Sequence, residues 1–268
     1  MTIDPDAIVR RGEGAPILCI HGSGVDHRLL LPLDRSLNDD GCWERIYLNL
    51  PGFGGTPPLA PPGGLPALID WVDDVVSEEL GSRNFAVLAN SLGGVIAREL
   101  VARRMSQIAA IALIAPVVDP RAEHRMLPHR EILEENPDFL KTLPSADASA
   151  FSEMAVVQNA ENWRRFRDAA LPGIRAADPH ALDQLGAGYT VEGPLPEQRF
   201  ERFEGSTLIV TGRQDHVVGF EDQLALSASY PRATIAVLDR AGHNVHLDQP
   251  DVVGSLLYAW QSQAVQRI

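Results

Sequence analysis

The chain has 268 residues and a formal net charge of −13, from 23 Lys and Arg against 36 Asp and Glu. A chain this acidic repels phosphate backbones and anionic lipid surfaces, which excludes nucleic acid as an expected partner. Its 45% hydrophobic and 22% charged residues are those of a folded globular protein with one large core, not of a disordered or fibrous chain.

The first residues, MTIDPDAIVRRGEG, lack an apolar run after a basic segment. No stretch reaches the roughly 18 apolar residues of a membrane span. The expected location is therefore cytoplasmic, with no membrane partner. Two cysteines, Cys19 and Cys42, are too few for a disulfide framework and have no zinc-like spacing with histidines. Cys19, inside PILCI, reads as a small buried hydrophobe.

In chain order, short apolar runs occur at PILCI 16–20, RIYLNL 45–50, FAVLA 85–89, IAAIALIA 108–115, STLIVTG 206–212 and TIAVLD 234–239. Helical patterns separate them. One is LPALIDWVDDVVSEEL at 65–80, where Leu68, Ile69, Val72, Val75, Val76 and Leu80 recur at helical spacing and Gly81 supplies a stop. Such alternation predicts βαβ units and an α/β fold: a mostly parallel central sheet with helices on both faces and all its C-terminal strand ends along one edge.

Between 118 and 203 the strand rhythm ceases. Helical pieces such as HREILEENPDFLKTL and ASAFSEMAVVQNAENWRRFRDAAL stand among prolines. This segment is expected to be an inserted helical cap, with residues 1–117 and 204–268 forming the core around it.

FAVLA runs straight into Asn90-Ser91-Leu92-Gly93-Gly94 and then into the helical pattern VIARELVARR. A strand, a sharp turn and a helix make a nucleophile elbow, which needs small residues two before and two after the nucleophile. Ala89 and Gly93 fill those places, so A-N-S-L-G is a variant with alanine where glycine is usual. The plain structural alternative for Ser91 is a helix N-cap, which is compatible with the first. An acyl-transfer serine also needs a base and a carboxylate, and both follow in the required order. Asp215 comes after STLIVTG in GRQDHVV, and His243 after TIAVLD in RAGHNVHLDQP.

With HGSG at 21–24, LPGFGGTP at 50–57, ANSLGG at 89–94, GRQDHVV at 212–218 and AGHNVHLDQP at 241–250, nearly the whole chain resembles the α/β-hydrolase family in its serine-hydrolase branch. The resemblance implies Ser91 as nucleophile, His243 as base, Asp215 as the acid that orients it, and an oxyanion hole from the backbone N–H groups of Leu92 and Ser23, with Gly24 as the other candidate for the second. It gives His21, Gly22, Gly24 and Asn90 supporting places and needs no metal or organic cofactor. His216 and His246 adjoin these loops and read as loop or surface groups. Asp119, past IAAIALIA, is the alternative acid. The run Trp163-Arg164-Arg165-Phe166-Arg167 reads as a solvated helix face.

The expected substrate is a small-molecule carboxylic ester, cleaved through an acyl-enzyme. The alternatives are a carbon–carbon bond hydrolase of vinylogous diketones, a cofactor-free perhydrolase or haloperoxidase, and a hydrolase-like ligand receptor. Carbon–carbon hydrolases of this family usually carry tryptophan after the catalytic histidine, where this chain has Asn244. The sequence leaves the oligomeric state open.

Overall fold

The computed structural model describes residues 3–38 and 41–268. Its strands are β1 (Ile8–Arg11), β2 (Ala15–Ile20), β3 (Trp43–Leu48), β4 (Phe85–Asn90), β5 (Ile108–Ile114), β6 (Ser206–Gly212) and β7 (Ala233–Leu238). They form one sheet in the order β1-β3-β2-β4-β5-β6-β7, in which only β1 runs antiparallel to its neighbour. The six expected strands are all present. β4 and β6 are buried at every position, as strands covered on both faces must be.

Strand β1 has no counterpart among the expected elements. It is four residues long and half of it is Arg10 and Arg11, which pair with Glu44, Glu79 and Asp34 at the sheet edge. A short edge strand that presents arginines outward lacks the apolar run by which the inner strands are recognised.

The helices are α1 (Asp34–Asn38), α2 (Gly64–Glu79), α3 (Leu92–Arg104), α4 (Pro137–Leu140), α5 (Ser145–Met154), α6 (Ala160–Ala169), α7 (Leu171–Ala176), α8 (Pro179–Ala187), α9 (Glu221–Ala225), α10 (Val245–Asp248) and α11 (Pro250–Ala264). Helix α2 buries Leu68, Ile69, Val72, Val75 and Val76, the stripe that its periodicity predicts.

From β2 the chain moves outward to β3, then returns across β2 to β4 and continues the other way. The strand order reverses between the C-terminal ends of β2 and β4, where open α/β sheets open a crevice for ligands. The loop after β2 carries residues 21–24 and the turn after β4 carries Ser91.

Helices α4 to α8 lie between β5 and β6. A second apolar cluster joins Phe151, Ala155, Trp163, Phe166 and Leu171 of this segment to Leu29 and Leu247, so the segment packs on the loop after β2 and on α10. It is less continuously helical than expected. Of HREILEENPDFLKTL only Pro137–Leu140 is helical, because proline disfavours the helical conformation in the residue before it, and Asn136 is non-helical. The second stretch breaks at 155–159, where Asn159 caps α6 by accepting from the Asn162 N–H. The run from 163 to 167 is not a purely solvated face. Trp163 and Phe166 turn into the second cluster, while Arg164 and Arg167 face outward and Arg165 donates to the Leu247 carbonyl.

Candidate active site

Strand β4 delivers Ser91 at φ 51° and ψ −116°, a left-handed conformation that non-glycine residues adopt only when their surroundings enforce it. The enforcement is visible. The Ser91 N–H donates to the Ile114 carbonyl at 3.1 Å, and the Ser91 carbonyl accepts from Gly94 at 2.8 Å and from Val117 at 3.0 Å. Asn90 Nδ2 donates to the same Ile114 carbonyl at 3.0 Å, which ties the turn to β5. Two glycines make the turn possible. A Cβ on Gly93 would lie 2.3 Å from the Ile20 carbonyl oxygen, and one on Gly22 would lie 2.8 Å from Asn90 Oδ1 and 3.0 Å from Ser91 Cβ.

The loops after β6 and β7 bring two more side chains to this point. His243 Nε2 lies 3.0 Å from Ser91 Oγ, and His243 Nδ1 lies 3.0 Å from Asp215 Oδ2. Asp215 is fully buried and its other oxygen accepts from Val217 N–H at 2.9 Å and Val218 N–H at 3.0 Å. The carboxylate is thereby fixed by its own loop and faces the imidazole with one oxygen. An imidazole held this way donates from Nδ1 and presents Nε2 as an acceptor to the serine hydroxyl.

The other expected residues fall into three groups. Ser23 lines the cavity at Ser91 with Gly22, Gly24 and Asn90, while Leu92 begins α3, where an N–H has no acceptor within the helix. His21 is buried. Its Nδ1–H donates to the Gly22 carbonyl at 2.6 Å and its Nε2 accepts from Leu50 N–H at 3.0 Å, joining the loops after β2 and β3. Burial pushes it down to about 4, so it stays neutral. Asp119 belongs to a different cluster. Arg121 donates to both of its oxygens and His124 approaches at 3.1 Å, so hydrogen bonding holds its carboxyl well below the usual range. His216 is lowered by partial burial. His246 is buried, donates from Nε2 to the Leu29 carbonyl at 3.0 Å, and is pushed down to about 4 by burial.

The cavity at Ser91 is about 110 Å³, small beside the roughly 300–1,000 Å³ of a drug-sized ligand cleft. Val25, Leu29, Met154, Phe166, Ala170 and Ile174 supply its apolar walls, and among the described residues no lysine or arginine lines it. Among the described residues, no cluster of His, Cys, Asp or Glu is arranged to hold a metal ion. No helix of the described residues is long and apolar enough to cross a membrane.

Sequence reasoning passed over Asp248. It is half-buried, its Oδ2 accepts from Gly242 N–H at 2.8 Å, and it thus braces the backbone just before His243. Its place at the end of the one-turn helix that follows His243 was the available signal. Burial raises the Asp248 carboxyl to about 7. The unfolded chain releases this proton near 4 and the folded chain near 7, so the fold loses stability as pH rises between those values. Asp248→Asn keeps an acceptor for Gly242 without a charge. Thermal melts at pH 4 to 8 are expected to give nearly equal stability at the acid end and an advantage for the variant that grows to about pH 7 and then levels off. A gap that does not change with pH would contradict the burial cost.

A family model described as the alpha/beta hydrolase family matches residues 17–255. The chain belongs to that family. An alpha/beta superfamily hydrolase from Oenococcus oeni PSU-1 has a similar structure, with TM-score 0.87 and 27% identity, covering 98% of each chain. A pimeloyl-[acyl-carrier protein] methyl ester esterase of Shewanella woodyi is 32% identical over 105 residues, which span 39% of this chain and only 37% of that esterase. A putative carbamate hydrolase, RutD, of Agrobacterium fabrum is 24% identical over 91% of this chain and 92% of its own. A 2-hydroxymuconate semialdehyde hydrolase of Pseudomonas putida is 22% identical over 95% and 89%. These relatives differ in the substrate they are named for, so membership supports a hydrolase and leaves the substrate to the cleft.

Proposed function

We propose that the protein is a serine hydrolase of small carboxylic esters, with Ser91 as nucleophile, His243 as general base and Asp215 as the residue that orients His243. The observation that carries this reading is the chain of two 3.0 Å contacts, Oγ to Nε2 and Nδ1 to Oδ2, built on a left-handed turn. His243 takes the Oγ proton as the oxygen attacks the ester carbonyl, and Nε2 returns that proton to the departing alcohol. The oxyanion is held by the N–H groups of Leu92 and Ser23. Water then enters, gives a proton to the same nitrogen as its oxygen attacks the acyl carbon, and the acid leaves as the bond to Ser91 Oγ breaks and Nε2 returns the proton to Oγ. The segment 118–203 acts as a cap whose Met154, Phe166, Ala170 and Ile174 limit the size of the acyl group.

A carbon–carbon hydrolase reading has one observation in its favour, the match over most of the chain to the Pseudomonas putida enzyme. The uncharged lining of the cavity and Asn244 beside the histidine favour a small neutral ester.

Intact mass after incubation with a fluorophosphonate tests the nucleophile, with a short-chain aryl ester assayed in parallel. One adduct on the wild type and none on Ser91→Ala is expected, together with ester turnover that Ser91→Ala loses. An adduct without turnover would move the reading to the carbon–carbon hydrolase, the perhydrolase or a ligand receptor. Absence of any adduct would remove the mechanism.

A further inference from the structure

Asn244 follows His243 directly and stands at the start of α10, and the acyl-transfer scheme makes no use of its side chain. It is only 9% exposed, and it lines both the cavity at Ser91 and a smaller void behind Phe166 and Met154. Its amide does not cap α10 and makes no side-chain hydrogen bond among the described residues, and it is not fully enclosed, because neither of its polar atoms is among the buried unpaired ones. By contrast, the neighbouring Asn90 amide donates to Ile114, and Ser91 and His243 are engaged with each other. An amide withdrawn from bulk water costs free energy unless it is paired. Asn244 lines the reaction cavity, where its amide can offer a substrate two donors and an acceptor oxygen.

We propose that Asn244 is a substrate-binding residue that selects small esters bearing a hydroxyl or oxo substituent close to the scissile carbonyl. The proposal rests on the Ser91 hydrolase reading. Two features narrow the class. The cavity of about 110 Å³ keeps any group that reaches Asn244 within a few bonds of the carbonyl carbon. The absence of lysine and arginine from its lining favours a neutral substituent over a carboxylate. The amide replaces bulk water as the partner of that substituent, and an analogue without it leaves Asn244 unpaired in the closed complex.

Ester pairs in which a hydroxyl replaces a methyl group provide the test: ethyl 2-hydroxypropanoate against ethyl 2-methylpropanoate, and ethyl 3-hydroxybutanoate against ethyl 3-methylbutanoate. Each rate is divided by that ester's own hydroxide-catalysed rate. The wild type is expected to favour the hydroxylated member of at least one pair by about tenfold or more in kcat/KM. Asn244→Leu, close in size and apolar, is expected to bring that ratio near one. Asn244→Ala, which cannot overpack, gives the same comparison if leucine disturbs α10, and a thermal melt reports folding of each. Protection of Ser91 from the fluorophosphonate by 2-hydroxypropanamide against 2-methylpropanamide reads the same preference without turnover. A ratio near one in the wild type, or an equal preference in wild type and variants, overturns the proposal while Ser91 labelling leaves the hydrolase reading intact. A wild type with neither label nor turnover overturns both.

Discussion

Replacing His243 by alanine is expected to lower kcat/KM for a short-chain aryl ester by about 10⁵–10⁶-fold. A serine hydroxyl is a weak nucleophile until a base takes its proton, and His243 Nε2 is the basic nitrogen within 3.0 Å of Ser91 Oγ. The other histidines are poorly placed to substitute. Nε2 of His246 is committed to the Leu29 carbonyl, and both nitrogens of His21 are engaged between two loops. In the proposed mechanism Ser91 and His243 act on one proton, so the double variant Ser91→Ala, His243→Ala is expected to be no slower than either single one. The fluorophosphonate reaction of His243→Ala should slow along with turnover. A loss of tenfold or less would place the base elsewhere.

Asp215→Asn is expected to cut turnover by about 10⁴-fold while leaving the fold nearly as stable. The two consequences separate because the two carboxylate oxygens have different partners. Oδ1 accepts from the N–H groups of Val217 and Val218, which an amide oxygen does equally well. The amide nitrogen is then left facing His243 Nδ1, where it can only donate. The imidazole must turn its lone pair to Nδ1 and its proton to Nε2, the wrong tautomer for taking a proton from Ser91. Steady-state kinetics beside a thermal melt would show both effects. Activity retained in Asp215→Asn would transfer the orienting role to Asp119, which the structure holds in a cluster with Arg121 and His124 and not beside His243.

The contrast between Asp215 and Asp248 shows how environment sorts carboxyls in one site. Asp215 is fully buried and Asp248 half-buried, and Asp215 accepts two backbone N–H bonds on one oxygen and faces an imidazole with the other. Asp248 has, among the described residues, Gly242 N–H alone at hydrogen-bond distance, and desolvation dominates it, raising it to about 7. A carboxyl near neutrality one helical turn after the histidine also brings a negative charge into the site as pH rises, which makes the pH-dependent comparison with Asp248→Asn worth making in activity as well as stability.

Most of the frame was determined by the sequence alone. Inner strands are covered on both faces, so they must be apolar runs, and α2 must repeat its apolar residues at helical spacing to bury one stripe. Both leave marks that can be read along the chain. The elbow is equally legible, because a strained turn between strand and helix admits small residues only, as the approach of Ile20 to Gly93 makes plain. The order Ser91, Asp215, His243 follows from strand order. Three things waited for the tertiary structure. Strand β1 is defined by an antiparallel partner and not by its own polar residues. Trp163 and Phe166 look like part of a basic surface run until Phe151, Leu29 and Leu247 are seen to receive them. The free amide of Asn244 and the strained proton affinity of Asp248 depend on what lies across a cavity or above a loop, contacts between residues far apart in the chain. Local pattern encodes which face of an element is buried, whereas the partner that meets each buried polar group is decided only when the loops close over it.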